Sequence, residues 1–323
     1  SIATTYNERM EGDYYAIGIR HDGLGVKLTD ESTSSVSGKA WNFDGTDGYV
    51  NLQNLDDVIH DATDGQTGSL SFWANVDSNQ ERIMWSTQNQ NGAGGIEIKT
   101  RTNGQVGINA DDGGAKWEAS TNTGVAVIGT WFHFVITHDG TEPLCYINAV
   151  EQCSFSNTSD LQFWVGDQQG GGYNMNQGIA VKAPRNGGTW TEFFDGSIDE
   201  FSYHTDVLTQ SEITAMYNSG DGVTYSSSAL PKDNLLVYYD FEGTDSGTLV
   251  DKTGNGYDGT GTGTITTDVT SFHDVEVITP ATYSDRDSNH WHADVEAELE
   301  ITYTIPPPFL PNAPTGFEQD VSN

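Results

Sequence analysis

The sequence predicts an all-β protein built as an antiparallel sandwich of two sheets. Short β-favouring runs follow one another from residue 38 to residue 205, and clusters of Gly, Asn and Asp separate them. The 37 glycines suit frequent turns, and the crossover helices that a parallel sheet needs are missing from the pattern. The predicted strands are SLSFWANV (69–76), RIMWST (82–87), GIEIKT (95–100), QVGINA (105–110), TWFHFVITH (130–138) and LQFWVG (161–166).

The charge of the chain is strongly negative. Its 323 residues include 13 Lys and Arg against 47 Asp and Glu, a formal net charge of −34. Such a surface repels nucleic acids and anionic bilayers, so we expect neither a nucleic-acid partner nor membrane insertion. An acidic surface suits the binding of divalent cations, or it is simply a solvated shell.

The two cysteines flank a predicted hairpin, LCYINAVEQCS (144–154). If the turn centres on Ala149, Cys145 and Cys153 face each other and can form a disulfide; the alternative is a pair of buried free thiols. A disulfide indicates an oxidising compartment, hence an extracellular location. Asn157 opens an N-glycosylation sequon, which a secreted protein could use. The chain starts at Ser1 without a leader, and we interpret it as a mature form.

The second half of the chain begins with a short predicted helix. In VLTQSEITAMYNSGDG (207–222), Thr209 and Glu212 form a capping box, and Gly220 is the expected stop. A polar linker (223–234), a new strand (235–243) and a dense turn (251–259) follow. Strict alternation over 290–305 predicts a long strand with one polar face, and a Pro-rich tail (306–323) ends the chain.

Four segments in order resemble one family. GKAWNFDGTDGYVNL, SLSFWANV, GTWFHFVITHDGTEPLCYINAVEQ and FFDGSIDEFSYHTDVLTQSEITAMYNSG span residues 38–220. Together they resemble the LamG-like jelly roll (laminin G type 3 domain) of the concanavalin A-like lectin/glucanase superfamily. The resemblance implies a jelly roll over 1–222. It also implies that the two Phe-Asp-Gly corners meet, with Phe43 and Phe194 in one core. Asn148-Ala149 replaces the family's Asn-Gly turn, so we expect a different hairpin loop here.

The resemblance also implies a structural calcium ion at these corners. Asp44, Asp47 and Asp199 would be its side-chain ligands, with backbone carbonyls and water completing the shell. The alternative is that each Asp-Gly step only makes a turn.

The order of the C-terminal motifs is unusual for the family. LLVYYDFEG and DKTGNGYDG resemble the opening motif of a repeat, yet here they follow the domain. Residues 235–305 are therefore a permuted part of the same sandwich, a smaller second β unit, part of a repeat array, or strands donated to a neighbouring molecule.

Two further metal signals lie near the C-terminus. Asp285, Asp287 and Asn289 have the spacing that opens an EF-hand loop, but His290 stands where its Gly should be. A simple acidic turn is the alternative. His290 and His292 share a strand face and could pair on zinc, although no third ligand is indicated.

Sugar binding would use aromatic side chains near strand ends or in Gly-rich loops. The candidates are Trp85, Trp117 and Trp190, with Tyr173 in the loop QQGGGYNMNQG (168–178). Hydrolysis would need paired carboxylates, and the jelly roll holds no such motif. Asp294, Glu296, Glu298 and Glu300 have the spacing but lie outside it.

The sequence therefore predicts an extracellular, non-enzymatic structural or adhesive surface protein, a component of an envelope, filament or virion. It would assemble with copies of itself through β-strands and calcium. A glycan-binding, lectin-like module whose partners are surface glycans is the alternative, and a glycoside hydrolase is a weaker one.

Overall fold

Two antiparallel sheets face each other across one hydrophobic core. The computed structural model describes residues 15–19, 26–30, 32–52, 55, 66–89, 94–167, 175–185 and 188–279. All of them belong to the first of the two units into which the chain divides, Ser1–Thr279. The predicted all-β sandwich is confirmed.

The described strands carry the numbers β1 to β19 in chain order. They are β1 (Tyr15–Ile19), β2 (Val26–Asp30), β3 (Ser32–Asp44), β4 (Tyr49–Asn51), β5 (Thr67–Val76), β6 (Ile83–Asn89), β7 (Gly94–Thr100), β8 (Val106–Asp112), β9 (Ala115–Ser120), β10 (Trp131–Asp139), β11 (Pro143–Ile147), β12 (Val150–Glu151), β13 (Ser154–Thr158), β14 (Met175–Ile179), β15 (Asp195–His204), β16 (Leu235–Tyr239), β17 (Thr248–Leu249), β18 (Gly259–Thr262) and β19 (Ile265–Thr279).

The strands divide between two large sheets and a hairpin. The eight-stranded sheet has the order β12-β11-β10-β5-β15-β3-β19, with β16 also paired to β15. The nine-stranded sheet has the order β13-β9-β8-β7-β6-β14-β4-β18-β17, and β1 and β2 form a separate two-stranded sheet. The predicted strand at 161–166 is wrong: Leu161 lies in a turn, and Val165–Asp167 form a 3-10 turn.

The two Phe-Asp-Gly corners meet, as the family resemblance implied. Asp195 is the cross-strand partner of Asp44, and the Gly45 amide donates to Phe194 O at 2.9 Å. Phe43 and Phe194 are both fully buried in the same core. Gly45 has φ +70°, and a Cβ there would press on the Asp195 side chain, so the close approach requires glycine.

Residues 235–279 pair within the same sandwich. β16 pairs with β15, β18 with β4, and β19 with β3. β3 and β16 share one edge of β15, and the strand changes partner at Glu200, whose φ is +49°. The first unit therefore holds both the jelly-roll segment and the opening-type motif that follows it.

The helix α1 (Gln210–Tyr217) has the predicted capping box between Thr209 and Glu212. It ends earlier than Gly220, because Asn218 adopts the left-handed conformation with φ +46°. Ile213 and Met216 pack in a second apolar cluster on the outer side of the eight-stranded sheet, together with Leu230 of the 223–234 segment.

The cysteine hairpin forms the predicted disulfide, Cys145–Cys153, with a Cα–Cα distance of 5.0 Å. The expectation of a different loop is wrong. Ile147 pairs with Val150, and both intervening residues have positive φ, +51° at Asn148 and +62° at Ala149. This is the two-residue turn that Asn-Gly would form, with Ala in the place of Gly.

Candidate binding face

The outer face of the nine-stranded sheet is polar where its inner face is apolar. In β7, Ile96 and Ile98 enter the core, whereas Glu97 and Lys99 point away from it. β8 and β9 alternate in the same way, with Asn109 between Ile108 and Ala110, and Glu118 between Trp117 and Ala119. This period of two is the local reason for the polar layer.

Cross-strand pairing joins these side chains into rows. Glu118 pairs with Asn109, Asn109 with Glu97, and Glu97 with Ser86. Asn157 of β13 lies opposite Glu118 and extends the row to the edge. We call this surface the polar face and define it by Ser86, Gln88, Glu97, Lys99, Arg101, Asn109, Asp111, Glu118, Ser120 and Asn176.

A hairpin covers one side of the polar face. It comprises residues 180–185 and 188–194, joined by a bridge between Lys182 and Thr191. Ser86 holds it down, because its hydroxyl donates to Val181 O and accepts from the Ala183 amide, both at 2.8 Å. We call this segment the covering hairpin. It forms a wall beside the open part of the face, which lies on β8 and β9 and includes Arg101 at the end of β7.

Trp190 belongs to this wall. Its ring stacks on Tyr49 at 4.6 Å between centroids and lies over Gly178, where a Cβ would touch it. Trp190 is partly exposed, and its contact with a ligand remains a prediction.

Ion pairs tie the covering hairpin to the face. Lys182 Nζ lies 3.0 Å from both Glu97 and Glu192, and Arg185 pairs with Asp111 at 2.7 Å. Burial alone would lower the pKa of Lys182, but the two carboxylates outweigh burial and raise it. Glu97 also accepts from Gln88 Nε2 at 3.0 Å. These groups position the wall rather than await a ligand.

The open part of the face carries partly exposed groups, and the buried Lys99 of β7 lies beside them. Lys99 Nζ lies 2.5 Å from Glu81, and this hydrogen bond lowers the pKa of the Glu81 carboxyl. Arg101, Asn109, Glu118 and Ser120 are each partly exposed. Donors and acceptors therefore alternate on rigid strands, a pattern that can hold several hydroxyl groups at once.

Two predicted ligand-binding residues lie in the core instead. Trp85 is 1% exposed and Trp117 is fully buried, and Trp117 Nε1 donates to Phe163 O at 2.7 Å. The prediction that they contact a ligand is wrong, because the strand period turns both inward. Residues 175–178 of the predicted loop belong to β14. Tyr173 lies outside the described residues and remains a prediction.

The predicted calcium ligands do not converge. Asp44 accepts the amides of Thr46, Asp47 and Gly48, and Asp47 accepts the Thr264 amide at 2.7 Å. Asp199 lies further along β15, because Asp195 and not Asp199 is the partner of Asp44. The described residues hold no group of three His, Cys, Asp or Glu that could bind a metal ion.

Other predicted sites fall outside the described part of the chain. They are Asp285, Asp287, Asn289, His290, His292 and the alternating strand 290–305, with its row of four carboxylates. Asn157 is described, and its side-chain oxygen accepts from the Ser159 amide and hydroxyl, both at 2.9 Å.

Buried polar pairs elsewhere do not form a reactive site. Ser71 Oγ lies 2.7 Å from His133 Nε2, but both residues are buried, and burial lowers the pKa of His133 to about 3. Burial likewise raises the pKa values of Asp199 and Glu200, which repel each other at the point where β15 changes partner. All four lie away from the polar face and from solvent.

The two-sheet topology and its core define a concanavalin A-like β-sandwich. A profile of the laminin G type 3 family, described as the concanavalin A-like lectin/glucanases superfamily, matches residues 44–214. The chain therefore belongs to this family. Among curated proteins, none matches the chain significantly.

Several solved structures are similar at low sequence identity. A putative carbohydrate-binding protein from Bacteroides ovatus is 16% identical, with a TM-score of 0.45, over 77% of this chain and 65% of its own length. The CBM40 of the Ruminococcus gnavus IT-sialidase, bound to α2,3-sialyllactose, is 17% identical, with a TM-score of 0.42, over 57% and 97%. A SAP-like pentraxin from Limulus polyphemus is 12% identical, with a TM-score of 0.41, over 64% and 93%. This chain thus spans 65% of the length of the B. ovatus protein. None of these similarities is high enough to transfer a ligand.

Within the described residues, no helix combines the length and the apolar character that crossing a bilayer requires.

Sequence reasoning missed the polar face, although its signal was present. GIEIKT, QVGINA and KWEAS each alternate apolar and polar residues, and they fall in consecutive strands. Aligning their polar positions would have indicated a shared polar layer.

Proposed function

We propose that this chain is a non-enzymatic, glycan-binding module of the lectin type, and that the polar face holds the sugar. The observation that carries the proposal is the pair Glu118 and Asn109, a partly exposed carboxylate and amide that lie opposite each other on β9 and β8. Sugar hydroxyls both donate and accept, and such groups meet them in pairs. Sites on strands keep their geometry better than sites on loops.

The covering hairpin supports the same proposal. It bounds the sheet face on one side through its contacts with Ser86, and ligand sites are usually bounded by such walls. Trp190 lies on the other side of the hairpin, over Gly178 and Tyr49, with β6 and β7 between it and Asn109, so the proposal does not depend on this ring.

The test is isothermal titration calorimetry with hits from a glycan array. Asn109→Ala removes an amide of the polar face, and we expect the Kd to rise about tenfold, because one paired hydrogen-bond site contributes about 1.4 kcal/mol. The matched control is Asn42→Ala, an amide on β3 of the other sheet that bonds Asp77 and Ser197. Equal Kd values for the two variants would refute the assignment of the face.

An extracellular location fits this proposal, because the Cys145–Cys153 disulfide persists in oxidising compartments. Glycoside hydrolysis, the weaker alternative, needs two accessible carboxyls about 5 Å apart. The adjacent carboxyls of Asp199 and Glu200 are buried, so they do not support it.

Assembly through strands and calcium is the other candidate function. Strand donation was one basis for it, but residues 235–279 pair within their own sandwich. Calcium binding remains a prediction. Size-exclusion chromatography in CaCl2 and in EGTA tests both: a polymer that dissociates in EGTA would support assembly, and an unchanged monomer would contradict it.

A further inference from the structure

We propose that Arg101 makes the polar face selective for acidic sugars, those that carry a carboxylate or sulfate group. This inference rests on the proposed glycan-binding function and names the chemical class of the ligand.

The basic residues of the chain are unusually concentrated here. Of the 13 Lys and Arg residues, Lys99, Arg101, Lys182 and Arg185 lie on or beside the polar face. Five carboxylates lie among these four cations, so the face is close to neutral rather than positive: Glu81, Glu97, Asp111, Glu118 and Glu192. In a chain with a net charge of −34, a nearly neutral face still differs in charge from the rest of the molecule.

Three of these four cations already have carboxylate partners. Lys99 pairs with Glu81, Lys182 with Glu97 and Glu192, and Arg185 with Asp111. Among the described residues, no carboxylate forms an ion pair with Arg101. Arg101 contributes to the lowered pKa of the Glu81 carboxyl without forming an ion pair with it, so its charge is the least compensated of the four.

The guanidinium of Arg101 also lacks hydrogen-bond acceptors. Its Nε is buried and has no partner within the described residues. Its Nη2 reaches Asn109 Oδ1 only at 3.4 Å. The Asn109 side chain makes better hydrogen bonds when its amide oxygen and nitrogen exchange places. Its nitrogen then donates to Ile108 O at 3.1 Å, and its oxygen accepts from Lys99 Nζ at 3.3 Å. In that orientation Arg101 has lost even this acceptor, and the four N–H groups of its two Nη atoms can serve a ligand.

The position of Arg101 is fixed by a glycine. The side chain lies over Gly107, where a Cβ would clash with Nε. The cross-strand partners of Gly107 are Lys99 on one side and Ser120 on the other. The Arg101 side chain thus lies over β8 between the strand positions of Lys99 and Ser120, where its two Nη atoms can bind an oxyanion.

The acidic remainder of the protein limits the ligand to small anions. Charges further than about 8 Å from the face are largely screened at physiological salt, so Arg101 governs binding at short range. A long polyanion would extend over the negative surface beyond the face and be repelled. We therefore expect short oligosaccharides with one or a few acidic groups to bind best.

The experiment compares sugars that differ only in the acidic group. Trigalacturonic acid is titrated beside its methyl ester, and a sulfated galactose trisaccharide beside its neutral parent, by isothermal titration calorimetry. We expect at least one acidic sugar to bind about tenfold more tightly than its neutral counterpart, because a bidentate guanidinium–oxyanion contact is charge-assisted. The two arms show whether carboxylate or sulfate is preferred.

Variants separate this inference from the proposed function. Arg101→Gln should reduce the acidic sugar to the affinity of its neutral counterpart, and Asn109→Ala should weaken both. Lys39→Gln, which removes a cation paired with Asp268 on the other sheet, should change neither. Arg101→Lys keeps the charge without the planar fork and should keep part of the preference, and circular dichroism checks that each variant is folded.

Two results would overturn the inference. If the acidic and neutral sugars bind equally, or if Arg101→Gln keeps the preference, the selectivity does not reside at Arg101. The glycan-binding proposal would still stand in that case if Asn109→Ala weakens the neutral sugar. If no sugar binds the wild-type protein, both proposals fail.

Discussion

Ser86 and Ser69 provide a matched pair of substitutions that tests the role of the covering hairpin. Ser86 donates to Val181 O and accepts from the Ala183 amide, both at 2.8 Å. On the other sheet, Ser69 donates to Asp206 O and accepts from the Leu208 amide, both at 2.9 Å. Both serines are fully buried, and each fastens an irregular segment to a strand.

Replacing either serine with alanine leaves one backbone carbonyl and one amide without a partner. An unsatisfied buried group costs about 1–3 kcal/mol, and water reaching the segment would recover part of that cost. We therefore expect each variant to lose about 2 kcal/mol of unfolding free energy. At an m-value of about 3 kcal/mol/M, the urea midpoint would fall by about 0.7 M.

The two variants should be destabilised to the same extent but should differ in the site of faster hydrogen exchange and in glycan affinity. Ser86→Ala should speed hydrogen exchange at the Ala183 amide and weaken glycan binding, because the wall beside the polar face becomes mobile. Ser69→Ala should speed exchange at the Leu208 amide and leave glycan affinity unchanged. If both variants weaken glycan binding equally, glycan affinity follows global stability. That result would refute the role given to the covering hairpin.

Three further changes have expected outcomes. Ala149→Gly should raise the unfolding free energy by about 0.5–1 kcal/mol, because glycine adopts the left-handed conformation of this position without the strain of alanine. The greater conformational freedom of glycine in the unfolded chain offsets part of that gain. An unchanged melting temperature would count against a strained turn. Burial raises the pKa of Glu200 in the folded state, so its contribution to stability is greatest at low pH and is lost as the pH rises above its pKa in the unfolded chain. Glu200→Gln should flatten this decline in unfolding free energy, measured by urea melts between pH 4 and pH 8. Parallel curves for the variant and the wild type would contradict the prediction. A glycan attached to Asn157, which lies opposite Glu118 at the edge of the polar face, should obstruct the face and lower its affinity for sugar. The comparison is with Asn157→Gln made in the same glycosylating host, and equal affinities would place the bound sugar elsewhere.

Local signals in the sequence predicted much of the fold. The Asp-Gly corners, the capping box at Thr209 and the cysteine hairpin each depend on a few adjacent residues, and each is present. Their chemistry is local, so no knowledge of distant parts of the chain was needed.

The calcium prediction depended on register, which local signals do not give. Which carboxylate of DGSIDE meets Asp44 depends on how β15 is offset against β3, and the offset selects Asp195 instead of Asp199. A shift of four residues along a strand moves a side chain by roughly 13 Å.

The binding face depended on combining strands that are separate in sequence. Trp85 and Trp117 were interpreted from their position near strand ends, whereas the alternation of each strand decides which side chain turns inward. Which irregular segment covers the face is a tertiary property, because Ser86 holds the covering hairpin through Val181, which is 95 positions away along the chain. No pattern within the segment indicates that contact.

Mapping of amide chemical shifts during titration with an acidic trisaccharide tests the central claim most directly. If the polar face is the binding site, the largest shifts will cluster at Lys99, Arg101 and Asn109 and along the covering hairpin. Shifts that cluster instead on the eight-stranded sheet or around α1, with these amides unmoved, would contradict the account.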